Sequence, residues 1–253
     1  MKSEKLSFPG SQGHRLMARL DRPASGDIRA FTMFAHCFTC SKNLKPILNI
    51  NQTLTAAGFA VLRFDFTGLG ESEGEFADTN FTSNVEDLLL AARFLAGEHA
   101  APQLLIGHSL GGSAVIQAAG QLPACRAVVT IAAPFEPQHL NRVLHGKRVE
   151  IESAGQARVS IAGRPFTIKK QFLDDLDKQN LEHHIRNLGR ALLIFHSPAD
   201  STVGVDNAAQ IFRAARHPKS FISLDQADHL LLDEAYARYV GRLIAAWVDR
   251  YLE

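Results

Sequence analysis

The stretch QLLIGHSLGGSAVIQAAG, residues 103–120, decides how this chain folds. Its first residues are apolar and suit a short buried strand, and the residues after Ser109 suit a helix. The pattern G-x-S-x-G lies between them, and its glycines allow the chain to turn sharply from strand to helix. Such a turn exposes Ser109 at the carboxyl edge of a sheet, beside the unpaired N–H groups of a helix N-terminus. We therefore predict that Ser109 is a nucleophile. The alternative is a structural glycine-rich turn, because the short pattern alone also occurs by chance.

Composition and charge exclude several classes of function. The 253 residues can bury a full core, and a formal net charge of +1 gives no basic field for nucleic acid. No segment approaches the ~20 apolar residues that cross a bilayer, and the N-terminus MKSEKLSFPG lacks the apolar run of a signal peptide. Three cysteines make a disulfide framework an unfavoured interpretation and a reducing compartment the default. We expect a cytoplasmic protein that binds neither nucleic acid nor membrane.

Apolar segments of strand length alternate with helix-length segments, which is typical of a mostly parallel sheet with helices on both faces. The first two strands form an antiparallel hairpin around residues 11–13, and an apolar stripe over residues 236–248 predicts a closing helix. The predicted fold is α/β with eight strands in one domain, residues 1–253. The predicted strands are KLSFPG, HRLMARLDRP, AFTMFAH, FAVLRFDF, QLLIGHS, AVVTIAA, ALLIFHS and SFISLD.

The alternation stops between AVVTIAAPF and ALLIFHS. Residues from about Glu136 to Arg190 contain a strand-like pair, RVEIES and ARVSIAG, and then a charged helical stretch, KKQFLDDLDKQNLEHHIRNL. This segment is too long for a simple crossover loop. We therefore predict a small cap, residues 136–190, inserted on the sheet, and we expect its apolar residues to form a wall of the substrate pocket.

A serine nucleophile needs a base that a carboxylate holds in place. In a fold of this kind the expected order along the chain is serine, acid, histidine. Asp200 follows the strand ALLIFHS and His229 follows the strand SFISLD, so both lie in loops where strands end. We predict that these two residues complete a triad with Ser109; the alternatives are a turn or cap aspartate and a surface histidine. Asp206 is a weaker candidate for the acid, because it is predicted to cap the helix VDNAAQIF.

Several motifs resemble those of a known family. GHSLGG, RFDFTGLGESEG and the late aspartate and histidine are similar to serine esterases of the α/β-hydrolase superfamily, especially its cinnamoyl/feruloyl-esterase-like branch. HCFTCSKN, NFTSNVEDL and HPKSFISL are similar to the hydrolase part of proteins that fuse such a domain to an OsmC-like peroxide-reducing domain. The resemblance implies a serine carboxylesterase that hydrolyses small acyl or aromatic acyl esters. Its chemistry needs no metal or organic cofactor, and an OsmC-like partner domain and a homodimer stay open.

The resemblance also implies an oxyanion hole. In the family, the loop after the strand ending AFTMFAH reads His-Gly-Phe, and the N–H just past the glycine binds the oxyanion. Carried over, His36 holds the loop, Cys37 takes the glycine position, and the N–H groups of Phe38 and Leu110 are the two donors. Each such donor contributes about 3 kcal/mol to catalysis. The residues expected to contact the substrate are His36, Cys37, His108 and Phe172.

Cys37 and Cys40 form a C-x-x-C spacing with three interpretations. The first is that they serve packing and the shape of the loop. The second is redox activity, which the start of a helix near Ser41 keeps open, because reactive cysteines favour helix N-termini. The third is a metal site, which has less support because no second C-x-x-C or H-x-x-x-H accompanies the pair.

Other activities also stay open. The same triad supports acyl transfer and the cleavage of thioesters or amides, and a non-catalytic ligand-binding module of this fold is a further alternative. A dehalogenase or epoxide hydrolase is excluded, because it needs a carboxylate at position 109. The loop RFDFTGLGESEG is not a dinucleotide site, because Gly68, Gly70 and Gly74 do not make G-x-G-x-x-G.

Overall fold

The computed structural model describes residues 1–144, 146–161 and 163–252. Eight strands of these ranges form the main sheet, in the order β1-β2-β4-β3-β5-β6-β9-β10, and β7 and β8 form a separate hairpin. In chain order the strands are β1 (Lys2–Pro9), β2 (Arg15–Arg22), β3 (Ala30–Ala35), β4 (Phe59–Phe64), β5 (Leu104–His108), β6 (Ala127–Ile131), β7 (Gln156–Ile161), β8 (Arg164–Lys169), β9 (Ala191–His196) and β10 (Lys219–Ser223).

The main sheet is parallel from β4 to β10, and within the described residues β2 is its one strand that runs antiparallel to its neighbours, β1 and β4. Every residue of β4, β5, β6 and β9 is buried. Strands of a parallel sheet are apolar throughout because helices cover both of its faces. The predicted eight-stranded, mostly parallel sheet is therefore confirmed. The carboxyl ends of its parallel strands meet at one edge, where loops can bring distant residues together.

Helices cover both faces of the main sheet. The helices α1 and α9 pack against each other on one face, and α2 and α3 do so on the other. None of the helices in the described ranges combines the length and the apolar character needed to cross a bilayer. The helices are α1 (Lys45–Ala56), α2 (Phe81–Glu98), α3 (Leu110–Ala119), α4 (Leu140–Val143), α5 (Arg148–Ala154), α6 (Lys170–Leu176), α7 (Leu181–Arg186), α8 (Asp206–Ala214) and α9 (Glu234–Leu252).

The segment between β6 and β9 differs in part from the prediction. RVEIES was predicted as a strand but lies in α5, and β7 pairs with β8 instead. The helix fits the local chemistry, because Arg148 and Glu152 form an ion pair one helical turn apart at 2.8 Å. Gly155, with a φ of 78°, then ends the helix. The charged stretch after β8 forms two short helices, α6 and α7. Asn180 begins the second of them by accepting a hydrogen bond from the His183 N–H at 3.0 Å.

Contacts with the start of α2 hold residues 136–190, the cap, on the main body. Ile168 and Phe172 are buried in the same apolar cluster as α2 and α3. Burial of such a side chain stabilises the fold by about 1.5–3 kcal/mol. The Asp175 carboxylate also accepts hydrogen bonds from the N–H and hydroxyl groups of Thr82, at 3.0 and 2.5 Å. The cap therefore packs directly over the body of the molecule.

Candidate active site

Ser109 lies in the turn that joins β5 to α3. Its φ is 54°, a left-handed conformation that is strained for a residue with a side chain. The turn has no room for side chains on its glycines. A Cβ on Gly107 would lie 2.2 Å from the carbonyl oxygen of Gly111, and a Cβ on Gly111 would lie 2.5 Å from that of Ala35. The Ser109 N–H donates to the Ile131 carbonyl at 2.8 Å, so the serine is fixed at the carboxyl edge of the sheet.

His229 connects Ser109 to Asp200 through hydrogen bonds. Its Nε2 lies 3.1 Å from the Ser109 Oγ, and its Nδ1 lies 2.7 Å from the Asp200 Oδ2. The loop that carries His229 is held by Asp228, whose carboxylate accepts two backbone N–H groups of the same loop at 2.8 and 3.0 Å. The structure thus brings together three residues that are far apart in the sequence, in the geometry by which an imidazole takes a proton from serine.

Asp200 is buried, and the hydrogen bonds of its side chain satisfy the charged carboxylate. Its Oδ1 accepts the N–H groups of Thr202 and Val203 at 2.8 and 2.9 Å, while its Oδ2 faces His229. Burial by itself raises the pKa of Asp200, but the hydrogen bond and charge of His229 and the two backbone N–H groups together lower it below its ordinary value. The group is therefore ionised and oriented near neutral pH.

The other aspartates near these loops have different contacts. Asp206 was predicted to cap α8, but Val205 occupies the N-cap position and Asp206 is the first helical residue, so that prediction is wrong. Asp206 is also exposed. Asp225 accepts a hydrogen bond from the Ser223 hydroxyl at 2.8 Å. Asp200 is thus the carboxylate that the structure places against His229.

His196, which the sequence reasoning missed, lies behind Asp200. It is the last residue of β9, and its Nε2 lies 2.7 Å from the Val203 carbonyl and 3.6 Å from the Asp200 Oδ2. A carbonyl only accepts, so Nε2 carries the proton. Burial lowers the pKa of His196, which keeps the ring neutral. His196 therefore holds the loop of the acid, and its position at a strand end was a usable signal.

His108 was predicted to contact the substrate, but in the structure it lies against the loop that carries His229. Its side chain is buried, and its Nε2 lies 2.6 Å from the backbone carbonyl of His229. Burial, together with the nearby charge of His229, lowers the pKa of His108 to about 3. The neutral ring therefore donates to the loop that carries the base. The structure makes His108 a support for His229 and gives it no surface toward a substrate.

His36 begins the loop after β3, and its side chain is almost fully buried. Its Nδ1 lies 2.8 Å from the Cys37 carbonyl, so this nitrogen carries the proton. Its ring packs edge-on against Phe66, with the centroids 4.9 Å apart. Burial lowers the pKa of His36, and the carbonyl of Cys37 and the charge of Asp65 oppose this only in part. The residue is 1% exposed, and it is one of the residues that line the cavity beside Phe38 and Leu110.

The loop after His36 contains a disulfide between Cys37 and Cys40, although three cysteines made a disulfide framework an unfavoured interpretation. The Cys40 N–H donates to the Cys37 carbonyl at 3.1 Å, and this turn brings the two Cα atoms to 5.3 Å. That separation is typical of a disulfide. Cys37 is 5% exposed. Within the described residues, the N–H groups of Phe38 and Leu110 have no backbone acceptor, so both are free to donate.

Four aromatic rings cover this turn. We call them the aromatic cluster: Phe38, Phe76, Phe166 and Phe172. The Phe172 ring, from the cap, lies 5.4 Å from that of Phe38, and Phe76 links Phe38 to Phe166 at 5.3 and 4.9 Å. A cavity of about 10 Å³, lined by Phe38 and Leu110 among others, adjoins the cluster. It has room for about one water molecule.

Lys42 and Asp65 form a buried pair that the sequence reasoning did not single out. The Lys42 Nζ donates to Asp65, and it donates to Glu71 at 2.6 Å. The Lys42 N–H donates to the Asp65 Oδ1 at 2.6 Å. Gly70 passes so close that a Cβ there would lie 2.2 Å from the Asp65 carboxyl carbon. The loop RFDFTGLGESEG therefore anchors the chain just after Cys40.

Comparison with proteins of known sequence gives one family and several remote relatives. The profile of the family described as serine aminopeptidase, S33, matches residues 41–162. The protein YfhR of Salmonella typhi is 25% identical over 241 residues, which are 94% of this chain and 78% of that protein. The mitochondrial palmitoyl-protein thioesterase ABHD10 of Homo sapiens is 24% identical over 211 residues, which are 80% of this chain and 68% of that protein.

Comparison with solved structures is more specific. The esterase domain of a Rhodothermus marinus protein is 50% identical, and the match covers 100% of both chains with a TM-score of 0.83. Est1E of Butyrivibrio proteoclasticus, solved with ferulic acid bound, is 18% identical and covers 98% of this chain and 99% of its own, with a TM-score of 0.82. At that identity the second match concerns the fold alone. The predicted fold and the resemblance to esterases are confirmed, and the chain belongs to the α/β-hydrolase family of serine hydrolases.

Proposed function

We propose that this protein is a serine carboxylesterase that hydrolyses small acyl or aromatic acyl esters through an acyl-enzyme on Ser109. The observation that carries the proposal is the chain of hydrogen bonds from the Ser109 Oγ to the His229 Nε2 at 3.1 Å and from the His229 Nδ1 to the Asp200 Oδ2 at 2.7 Å. The identity of 50% with an esterase domain favours an ester as the substrate.

The first half of the reaction forms the acyl-enzyme. The Ser109 Oγ attacks the carbonyl carbon of the ester, and the His229 Nε2 takes the hydroxyl proton. The bond to the alcohol then breaks, and the imidazolium returns the proton to the departing oxygen. Asp200 stays ionised and stabilises the imidazolium, which agrees with the direction of its pKa shift. In the second half, water attacks the acyl group, His229 takes its proton, and Ser109 leaves with the proton restored.

The negative charge on the carbonyl oxygen needs donors that are already in place. We assign this role to the N–H groups of Phe38 and Leu110. Leu110 is the first residue of α3, where the helix dipole also favours an anion. Donors aimed in advance at the developing charge supply much of the rate enhancement in enzymes of this type.

The closed cap favours short or flat acyl groups. Phe172 and Phe38 are in contact, and the cavity that Phe38 and Leu110 help to line has about 10 Å³. A flat aromatic acyl group could stack on such rings. The bound ferulic acid of Est1E agrees with this substrate class, whereas a palmitoyl chain, as in the name of ABHD10, would require the aromatic cluster to move.

Peptide cleavage has less support, although the matching family is named for an aminopeptidase. An aminopeptidase must bind the positive N-terminus of its substrate, and a carboxylate is the usual partner for an ammonium group. None of the described residues that line the cavity beside Leu110 carries a carboxylate. Asp65 and Glu71, which lie close in sequence to this lining, already bind Lys42.

A panel of p-nitrophenyl esters with acyl chains of increasing length tests the proposal. We expect turnover of acetate and of small aromatic acyl esters, falling for long chains. Ser109→Ala should lose activity by about 10⁵-fold or more while the protein stays folded. A fluorophosphonate probe should label Ser109, and Ser113→Ala, which changes a buried serine on the same helix, should leave this labelling intact. Ester hydrolysis that survives in Ser109→Ala would contradict the mechanism.

A further inference from the structure

We propose that the Cys37–Cys40 disulfide is a thiol–disulfide modification site that holds the oxyanion turn in its active shape, so that a dithiol reductant lowers turnover. This inference rests on the proposed function, because it concerns the same oxyanion hole. It adds a covalent, reversible control that the triad itself does not contain.

The disulfide closes the turn that presents the Phe38 N–H. Cys37 and Cys40 are the first and fourth residues of a β-turn, since the Cys40 N–H donates to the Cys37 carbonyl at 3.1 Å. Phe38 and Thr39 are its two inner residues. The sulfur atoms of the first and fourth residues are joined, so the proposed donor lies inside a small covalent ring.

The backbone of this turn is strained at Thr39. Thr39 has a φ of 66°, which a type II turn requires at its third position and which glycine normally supplies. For a β-branched residue this conformation is rare and unfavourable. Threonine at this position therefore does not favour the turn. The covalent link opposes relaxation of the Thr39 backbone to an ordinary extended conformation.

Other contacts also restrain the turn and would remain after reduction. The Arg164 guanidinium, at the start of β8 in the cap, donates to the Thr39 carbonyl. The Phe38 ring packs against Phe172 at 5.4 Å. We therefore expect reduction to loosen the turn without unfolding it. Loss of a whole oxyanion donor costs about 10²–10³-fold in turnover, so a loosened donor should cost about tenfold.

The two cysteines differ in their exposure to solvent. Cys37 is 5% exposed, whereas Cys40 is only partly buried. A thiolate of the reductant would attack the Cys40 Sγ, and the Cys37 sulfur would leave as a thiolate and take up a proton. The second thiol of the reductant then attacks the reductant sulfur that is bound to Cys40, and Cys40 is released as a thiol. Two electrons pass to the protein, and the dithiol ends as a cyclic disulfide.

The remaining cysteine provides an internal control. Cys125 is a free, buried cysteine. Burial raises its pKa to about 12, and a thiol that stays protonated reacts slowly with disulfides and oxidants. A response of activity to reductant should therefore belong to the Cys37–Cys40 pair.

The experiment compares the oxidised and reduced forms of the same protein on p-nitrophenyl acetate. The protein is reduced with dithiothreitol and desalted without oxygen before the assay, since free dithiol would itself cleave the substrate. Thiol titration in denaturant should give one thiol before reduction and three after it, out of three cysteines. We expect kcat to fall about tenfold with KM changed less than twofold, because an oxyanion donor acts on the transition state. A trifluoromethyl ketone forms a hemiketal with Ser109 whose oxygen occupies the same hole, so its inhibition constant should rise by the same factor. Diamide should restore activity.

Matched variants separate the disulfide from other effects. The double variant Cys37→Ala/Cys40→Ala should have the low kcat permanently and no response to dithiothreitol, while Cys125→Ala should respond as the natural protein does. Near-UV circular dichroism reports whether the double variant folds. If it does not fold, the comparison of kcat between the oxidised and the reduced natural protein tests the inference. A kcat unchanged in protein with three titratable thiols would overturn the inference. If the oxidised protein has no turnover that depends on Ser109, the proposed function fails instead.

Discussion

Two regions meet at Ser109, and they are held in place by different means. Asp200 and His229 lie in loops at the ends of main-sheet strands, and backbone groups and buried histidines of the same sheet fix them. The turn that carries Phe38 is fixed by a disulfide and by contacts with the cap. The acid–base half of the site depends mainly on the sheet, with one contact from the cap, since the His139 Nε2 lies 2.9 Å from the Thr202 carbonyl in the loop of Asp200. The oxyanion half depends on the cap and on the state of two cysteines.

The strongest test of the sheet-borne half is Asp200→Asn. An amide in this position no longer holds the imidazole in the tautomer whose Nε2 can accept a proton from Ser109. We expect kcat to fall about 10⁴-fold, with the inhibition constant of a ketone transition-state analogue changed far less. Steady-state kinetics on p-nitrophenyl acetate provide the measurement.

The matched control is Asp206→Asn, which changes an exposed aspartate in the same region of the chain. It should leave kcat within about twofold of the natural protein, as do most surface substitutions. If Asp206→Asn were the damaging change and Asp200→Asn the mild one, the assignment of the acid would be wrong.

A second test concerns His108, which supports the loop of the base. Burial lowers the pKa of His108 from 6.5 to about 3, so the unfolded chain binds a proton more readily than the folded one. Stability that depends on neutral His108 is therefore complete above pH 6.5 and is lost as the pH falls toward 3. Between pH 6.5 and 4.5 this loss should be on the order of 2–3 kcal/mol.

His108→Gln measures this contribution. Glutamine does not titrate and still offers an N–H to the His229 carbonyl, so the variant should lose less stability than the natural protein on acidification. Urea unfolding at the two pH values gives the free energies, and His14→Gln, at an exposed position, serves as the control. Equal losses in the natural protein and in His108→Gln would show that the buried ring does not carry this pH dependence.

The two regions also differ in how far the sequence could predict them. The strands and the order of Ser109, Asp200 and His229 follow from local patterns, because strand ends of a parallel sheet bring such loops to one edge. Side-chain contacts do not follow in this way. Which partner His108 or His196 finds depends on the face of the sheet it meets, and burial of Lys42 depends on Asp65, 23 residues further along the chain.

The cap was the less predictable part. RVEIES satisfies both the alternation of a strand and the one-turn spacing of Arg148 and Glu152, and a segment so short is ambiguous. Gly155 was the available sign that a helix ends there. The disulfide was not predictable from spacing alone, because it requires a turn with a positive φ at Thr39, a conformation that threonine rarely adopts.

The cap-borne half is tested by Phe172→Leu. We expect its effect to be smaller than those of Asp200→Asn and His108→Gln. Leucine is preferable to alanine, because emptying a buried aromatic site costs about 3–5 kcal/mol of stability. The variant removes the ring contact with Phe38 at 5.4 Å and opens space where we place the acyl group. Each methylene accommodated in such a pocket is worth about 1–3 kcal/mol, so the ratio of kcat/KM for hexanoate to that for acetate should rise about tenfold. Turnover of acetate should change little, because the disulfide still holds the turn.

Leu176→Val, which alters another buried residue of the same helix, controls for a general loosening of the cap and should leave the ratio unchanged. An unchanged ratio in both variants would mean that the cap is structural and that the acyl group binds elsewhere.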